Sequence, residues 1–189
     1  MLVKIEEIQE GGLELNEAMP AALVEKAVAE ATTDFFAERG FTLKARLTKV
    51  SGGVLLSGKF TVGVRAPCKR CVDEVHLEVP VEFTLNLVPR QRRAEEEAQG
   101  GGDDDGRSAR AGTFTLDGAN DEPFDGKRID LDPILREQIL LALPVSVVCR
   151  EECKGLCPVC GQDLNERECG CERRVPDPRF AALKDIKLS

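Results

Sequence analysis

The eight cysteines of this chain fall into four short pairs, and this spacing carries its clearest chemistry. Two thiolates separated by one to three residues can reach the same metal ion, and four thiolates complete a tetrahedral site. Eight thiols are enough for two such sites. We therefore predict that all eight cysteines bind metal, and that the metal stabilises the fold rather than catalysing a reaction. The predicted ligands are Cys68, Cys71, Cys149, Cys153, Cys157, Cys160, Cys169 and Cys171.

The strongest single motif is Cys157-Pro158-Val159-Cys160-Gly161, which is typical of a zinc knuckle. Its glycine allows the backbone to fold back with its amides facing sulfur. The sequence Cys68-Lys69-Arg70-Cys71 has the same spacing and lies between two predicted strands, where a hairpin tip would present both sulfurs. Spacing alone does not fix the pairing. The arrangement we favour joins Cys157 and Cys160 to Cys169 and Cys171, and joins Cys149 and Cys153 to Cys68 and Cys71.

Zinc is the favoured metal because tetrahedral coordination by sulfur is its usual structural site, although iron and iron–sulfur clusters take the same ligands. We expect two zinc ions with all-thiolate coordination. Such a site leaves no open position for an activated water. The single histidine, His76, stands on the polar face of a predicted strand, where we interpret it as a solvated surface residue.

Three other interpretations of the residues have less support. A redox pair uses Cys-x-x-Cys at a helix N-terminus to lower a thiol pKa, whereas Cys68 and Cys71 fall between strands. Inert buried cysteines need no regular pairing. No nucleophile, base and orienting group stand in a recognisable spacing. We therefore predict a protein that is not an enzyme and has no small-molecule substrate.

A helix and three strands are predicted ahead of the second cysteine cluster. Asn16 can cap a helix whose first turn holds Glu17 and Pro20 and whose apolar positions recur until Gly40. Residues 41–48, 56–66 and 75–87 alternate apolar and polar side chains, which predicts three strands of an antiparallel meander with the helix on its apolar face. Pro80 lacks an amide donor and suits an edge position for the third strand.

Beyond the third strand the composition changes abruptly. Runs of Glu, Gly and Asp between residues 94 and 112 predict disorder. Structure resumes at residues 128–131, a short helix opens at Asp132-Pro133, and Asp177-Pro178 begins another near the end. The predicted fold class is α+β, an antiparallel β-meander covered by a helix, with a cysteine-rich, zinc-ribbon-like C-terminal extension. The predicted division is residues 1–93, a mostly disordered acidic linker 94–126, residues 127–148 completing the main domain, and a zinc-binding tail 149–189.

The formal charge of −8 is unevenly distributed along the chain. Residues 40–93 carry ten basic and four acidic side chains. This local excess indicates either a contact with a polyanion or a solvated sheet face. Without Tyr or Trp the chain has few platforms for stacking bases, which favours phosphate or shape recognition. The candidate RNA-binding residues are Lys44, Arg46, Lys59, Arg65, Lys69 and Arg70, extended by Arg90, Arg92 and Arg93.

The N-terminal residues lack the basic start and apolar run of a secretory signal, and no apolar stretch is long enough to span a bilayer. We expect a cytoplasmic protein without a membrane partner, in which reducing conditions favour metal ligation over disulfides.

The order of these motifs resembles the YceD family. The resemblance spans most of the chain and rests on Cys68-Lys69-Arg70-Cys71, on residues 129–131 and 139–144, on residues 153–161 with Leu164-Asn165, and on residues 177–180. It implies a metal-binding, nucleic-acid-binding protein required for accumulation of large-subunit (23S) ribosomal RNA in bacteria and plastids. The expected partner is ribosomal RNA or a ribosome-assembly protein. The alternative function is a protein-interaction adaptor that docks a ribosomal protein or an RNA-processing enzyme without direct RNA contact.

Overall fold

The structure is a computed structural model that describes residues 1–30, 34–90 and 121–172. The chain forms two compact units, one of Met1–Arg65 with His76–Pro144 and the other of Ala66–Val75 with Val145–Ser189. The predicted disordered segment 94–112 and the predicted helix after Asp177 lie outside the described residues. The predicted four-part division stays a prediction.

The first unit contains most of the regular structure. The strands are β1 (Leu2–Lys4), β2 (Leu13–Met19), β3 (Phe36–Ala37), β4 (Phe41–Val50), β5 (Gly53–Pro67), β6 (Glu74–Pro89), β7 (Asp121–Phe124) and β8 (Arg128–Asp130), and the helices are α1 (Ala21–Glu30) and α2 (Leu131–Ala142). Neither helix has the length and apolar character needed to cross a membrane, as judged over the described part of the chain.

Strands β4, β5 and β6 are neighbours in one sheet, which confirms the predicted order of the meander. The sheet is larger than predicted, because β2 pairs antiparallel with β4 and β3 pairs antiparallel with β5. It is also mixed, because β7 joins β6 in parallel. Strand β7 lies inside the range predicted as linker. A separate two-stranded sheet pairs β1 with β8.

The predicted start of the first helix is wrong. Asn16 and Glu17 lie in β2, opposite Lys44 and Leu43 of β4. Half-buried Leu13 and Leu15 alternate with exposed polar residues, and this period of two indicates a strand despite the capping signal at Asn16. Helix α1 begins only after Pro20, whose missing amide suits a helix start. It is described over Ala21–Glu30, and β3 lies within the range that was predicted to continue the helix toward Gly40.

Strand β6 is not an edge strand as a whole, but the part of it that contains Pro80 is not paired with β7. Strand β6 lies between β5 and β7 in the sheet order. Its pairing with β7 covers Asn86 to Pro89 and does not extend to Pro80. The second helix begins at Leu131, one residue before the predicted opening at Asp132-Pro133, because its cap is Asp130, whose side chain accepts a hydrogen bond from the Asp132 amide at 3.2 Å.

One hydrophobic core holds the first unit together. Side chains of both helices, such as Val24 and Leu135, are buried in the same cluster as Leu43 and Leu56 of the sheet. Phe41 stacks on Phe60 with ring centroids 4.3 Å apart. Burying one such large side chain contributes about 1.5–3 kcal/mol. The helices therefore cover the apolar face, and the opposite face of β4, β5 and β6, called the outer face below, carries the exposed polar side chains.

Candidate metal centres

The structure gathers the eight cysteines into two groups of four, the same two groups that the spacing favoured. Site 1 is Cys68, Cys71, Cys149 and Cys153, and site 2 is Cys157, Cys160, Cys169 and Cys171. Within each site the four sulfur atoms lie within 4.8 Å of one another. All eight residues are free thiols. Either group could therefore hold a metal ion.

Sulfur–sulfur distances in site 1 match the size of a metal site. The Sγ atoms of Cys68 and Cys153 are 3.9 Å apart, and those of Cys71 and Cys149 are 3.6 Å apart. Four sulfurs placed about 2.3 Å from a central zinc at the corners of a tetrahedron would be about 3.8 Å apart. A disulfide would need roughly 2.0 Å. The donor set thus fits a tetrahedral ion in both chemistry and dimension.

The turn between β5 and β6 forms a knuckle around Cys68. The Arg70 amide donates to Cys68 Sγ at 3.4 Å, and the Val72 amide donates to the Cys68 carbonyl at 2.9 Å. The Cys68 amide in turn donates to the Asp73 carbonyl at 2.8 Å. These bonds hold the first sulfur in place and direct a backbone amide at it.

The turn at Cys157 repeats this pattern bond for bond. The Val159 amide donates to Cys157 Sγ at 3.5 Å, and the Gly161 amide donates to the Cys157 carbonyl at 2.8 Å. The Cys157 amide donates to the Gln162 carbonyl at 2.8 Å. The two Cys-x-x-Cys segments are therefore one recurring knuckle, and each site contains one copy of it.

Both knuckles require a left-handed backbone just after the second cysteine. Gly161 has φ of 74°, and Val72 at the equivalent position has φ of 69°. Val72 is the only non-glycine residue with positive φ in the described ranges. A β-branched residue is rarely found in this region. The Cys68–Cys71 knuckle therefore lacks the glycine that follows Cys160, and its cysteine spacing is the signal that the two segments share.

Two further hydrogen bonds complete site 1, one from the ligand Cys149 and one from Asn165, which the sequence did not assign to the site. The Cys149 amide donates to Cys68 Sγ at 3.4 Å. The Asn165 side-chain amide donates to Cys153 Sγ at 3.4 Å. Asn165 is itself held by Asp163, whose carboxylate accepts from both its backbone and its side-chain amide at 2.8 Å. The only sequence signal for Asn165 was its place in the family motif.

Arg70 ties the knuckle of site 1 to the chain that follows Cys149. Its guanidinium donates to the carbonyls of Glu151 and Cys153 at 2.8 and 3.0 Å. Its own carbonyl accepts from the Leu156 amide at 2.9 Å. Gly155 lies so close that an added Cβ would be 2.8 Å from the Arg70 carbonyl oxygen. This arginine therefore has a structural role in the second unit, whatever its part in RNA binding.

The thiols of site 1 have pKa values displaced in opposite directions. Burial raises the pKa of Cys68, but amide hydrogen bonds from Cys71, Arg70 and Cys149 outweigh it and lower that pKa to about 6. At Cys71 the Asp73 amide favours the thiolate, yet burial, the Asp73 carboxylate and the neighbouring thiols together raise the pKa. Without a cation, four thiolates cannot share this volume, so part of the group stays protonated.

In site 2 too, one thiol pKa is lowered and another is raised, although fewer of its cysteines are buried. Amides of Cys160 and Val159 donate to Cys157 and lower its pKa to about 6. Contacts with Cys160 and Cys169, followed by burial, raise the pKa of Cys171 to about 12. Only Cys157 is buried in this site, whereas three of the four cysteines of site 1 are buried.

The predicted RNA-binding residues are distributed over both units. Lys44 and Lys59 are register partners on β4 and β5, and with Arg46 they line one groove on the outer face. Arg46 is bonded to Glu14 at 3.3 Å. Arg65 lies over the Phe36 ring, with its guanidinium carbon 5.0 Å from the centroid. The remaining two, Lys69 and Arg70, belong to the second unit, and the extension residues Arg92 and Arg93 lie outside the described ranges.

The single histidine, His76, is exposed, and its Nδ1 contacts the Glu38 carboxylate.

Comparison with known proteins identifies relatives. A chloroplastic protein of Arabidopsis thaliana, named large ribosomal RNA subunit accumulation protein YCED homolog 1, is 32% identical over 34% of this chain and 20% of its own length. Its Zea mays counterpart is 29% identical over 68% of this chain and 47% of its length. An uncharacterized protein of Mycobacterium tuberculosis is 32% identical over 76% of this chain and 60% of its own.

This chain therefore spans less than two thirds of the length of these relatives. No solved structure shows significant similarity to it. The family model described as large ribosomal RNA subunit accumulation protein YceD matches residues 56–187, which include all eight cysteines. The chain belongs to the YceD family.

Proposed function

We propose that this protein is a non-catalytic ribosome-biogenesis factor that supports the synthesis, processing or stability of large-subunit (23S) ribosomal RNA. The observation that carries the proposal is the family match together with the two cysteine tetrads inside the matched range. Each tetrad is filled by four thiols, so a bound ion would have no vacant position for a substrate or an activated water. The proposed metal role is therefore structural.

Zinc is the proposed occupant of both sites. Its chemistry there would be to replace the protons of the thiols and to hold four sulfurs that otherwise repel one another. Cys68, Cys71, Cys149 and Cys153 would hold one ion and the cysteines of site 2 the other. Two knuckles of the same geometry, each followed by a second cysteine pair, support a zinc-ribbon-like arrangement of the second unit.

The negative net charge of the protein limits how it can bind RNA. Two divalent ions add four positive charges and eight thiolates add eight negative ones, which takes the formal charge from −8 to −12. Long-range attraction to a polyanion is then absent, and any RNA contact must be local. Lys44 and Lys59 on the outer face are the best placed for it. We place this activity in the cytoplasm, with no membrane partner.

A protein adaptor is the second candidate. It is favoured by the negative charge, which suits basic ribosomal proteins, and by apolar side chains that the second unit leaves exposed, including Val145 and Val159. Affinity purification after nuclease treatment distinguishes the two. Partners that survive removal of RNA support the adaptor, whereas loss of all partners supports direct RNA contact.

The proposed function is tested by complementation. Cells depleted of the protein should lose large-subunit ribosomal RNA relative to small-subunit RNA, and the wild-type chain should restore the ratio. The double variant Cys68→Ser/Cys157→Ser, which removes one ligand from each site, should fail to restore it. An unchanged ratio on depletion would overturn the proposed function. Restoration by the cysteine variant would overturn the requirement for metal.

A further inference from the structure

Two lysines face each other on the outer face of the sheet. Lys44 on β4 and Lys59 on β5 occupy opposite register positions, and both side chains are exposed. Neither has an ion-pair partner among the residues that the structure describes. Like charges directly opposite on neighbouring strands cost stability. An anion bound between the two ammonium groups would remove that cost.

An open groove lies beneath these lysines. It has a volume of about 540 Å³ and crosses strands β2, β4, β5 and β6. Ser57 and Thr84 contribute hydroxyl groups to its walls, and Glu82 and Glu14 contribute carboxylates, of which Glu14 is paired with Arg46. The groove thus offers cations for phosphate together with acceptors and donors for hydroxyl groups. A ligand that carries both phosphates and hydroxyls matches this lining better than a purely anionic one.

An exposed aromatic side chain lies farther along the same face. Phe36 is 52% exposed, and Arg65, its register partner on β5, stacks on its ring. Lys59 and Arg65 are six residues apart on β5, so they share a face and lie about 20 Å apart at the rise of a β-strand. An exposed aromatic ring braced by arginine is a surface on which a nucleobase can stack.

We propose that this outer face binds single-stranded RNA, with a phosphate between Lys44 and Lys59 and a base stacked on Phe36. The inference rests on the proposed function and names the RNA and the residues that would contact it. The single strand is favoured over a duplex because a base can reach Phe36 only when it is unpaired. An acidic protein segment would use the lysines and leave the ring unused. Glu82 can accept a hydrogen bond from a ribose 2′-hydroxyl, which favours RNA over DNA.

The test is fluorescence anisotropy of labelled single-stranded RNA of roughly 12 nucleotides, a length within the footprint of single-strand-binding modules, titrated with the full zinc-loaded chain at several salt concentrations. Phe36→Leu should weaken binding roughly 5- to 100-fold, the range expected for one lost stacked base, without changing the salt dependence. Phe36→Trp should keep or strengthen binding. The exposed Leu141→Ala, a matched apolar control in the same unit, should have no effect.

The lysines are tested through the salt dependence. Lys44→Gln and Lys59→Gln should each reduce the slope of log K against log salt concentration by about 0.7, the value for one phosphate contact to a single strand. Neither should lower the melting temperature, because each relieves the like-charge pair. Lys49→Gln, with the same loss of charge on β4, should leave the slope unchanged.

Four results would overturn the inference: Phe36→Leu binding like Leu141→Ala, Lys44→Gln and Lys59→Gln matching Lys49→Gln, DNA of the same sequence binding as tightly as the RNA, or no binding at all. A different experiment distinguishes failure of this inference from failure of the proposed function. If the triple variant of Phe36→Leu, Lys44→Gln and Lys59→Gln restores large-subunit RNA in depleted cells as well as wild type does, the outer face is not used and the proposed function stands. If wild type itself restores nothing, the proposed function is wrong.

Discussion

Asn165 donates its side-chain amide to the sulfur of Cys153 at 3.4 Å, although Asn165 stands between the ligands of site 2 and Cys153 belongs to site 1. Two further hydrogen bonds join the two ends of the segment from Lys154 to Asn165. The Lys154 amide donates to Asn165 Oδ1 at 2.8 Å, and the Leu164 amide donates to the Gly155 carbonyl at 2.9 Å. The segment between Cys160 and Cys169, which connects two ligands of site 2, therefore helps to orient Cys153, a ligand of site 1.

We expect Asn165→Ala to weaken metal binding at site 1 by about 10- to 100-fold, the usual cost of losing a group that orients a ligand. Asn165→Asp should be at least as damaging, because it sets a carboxylate against a thiolate. Competition with a chromophoric chelator under reducing conditions measures the affinity. Gln162→Ala is the matched control, because Gln162 lies in the same loop and its side chain bonds to Asp163 and Arg167 rather than to sulfur. Equal affinities for the alanine variants at 162 and 165 would refute the role of Asn165.

Replacing Arg70 should destabilise the second unit independently of RNA. Arg70→Gln loses the two guanidinium bonds to the carbonyls of Glu151 and Cys153, and we expect the free energy of unfolding of the metal-loaded protein to fall by about 1–3 kcal/mol. Arg150→Gln removes the same charge from the same unit and should have little effect. Thermal unfolding of both variants compares them. The structural role of Arg70 would be ruled out if the two melted together.

Exchanging the residues with positive φ, Val72 and Gly161, should change the stability of the protein in opposite directions. Val72→Gly should stabilise the protein by about 0.5–1 kcal/mol, because relief of the left-handed backbone exceeds the entropic cost of glycine. Gly161→Val should destabilise it by about 1–2 kcal/mol. Crowding does not confound this change, since a Cβ at Gly161 would meet nothing within 4 Å.

Gly170→Val is the control for the knuckle exchange, because Gly170 has the same open space and no positive φ. It should be tolerated. The shared-knuckle account would be contradicted if Val72→Gly destabilised the protein or if the valine variants at 161 and 170 behaved alike in thermal unfolding.

The cysteine chemistry was readable from the sequence because ligand spacing is local. Pairs such as Cys157 and Cys160 need only a turn, whereas the joining of pairs into tetrads depends on the fold and could only be favoured from the sequence. The predictions that failed depended on competing local signals. Asn16 and Pro20 look like a helix start, but pairing of β2 with β4 determines the conformation of Asn16. The stacked Phe36 and Arg65 could not be predicted, because register across strands is not encoded in either segment alone.

Metal binding should release protons, and its pH dependence follows from the divided pKa values. Near neutral pH the pKa values of about 6 leave Cys68 and Cys157 ionised, while Cys71 and Cys171 keep their protons. Metal displaces those remaining protons, so apparent affinity falls as pH falls, and falls more steeply once pH drops through about 6. Calorimetry in buffers of different ionisation enthalpy should show release of fewer than four protons per site. Release of four protons per site would contradict this division, and a binding enthalpy independent of the buffer would contradict proton release altogether.

The most direct test of the account is the metal content of the full chain, purified under reducing conditions without added metal. We predict two zinc ions per chain and loss of folded structure in the second unit when a chelator removes them, because the binding free energy of a structural metal is folding free energy. A reduced chain that came out free of metal and kept the second unit folded would contradict the central claim.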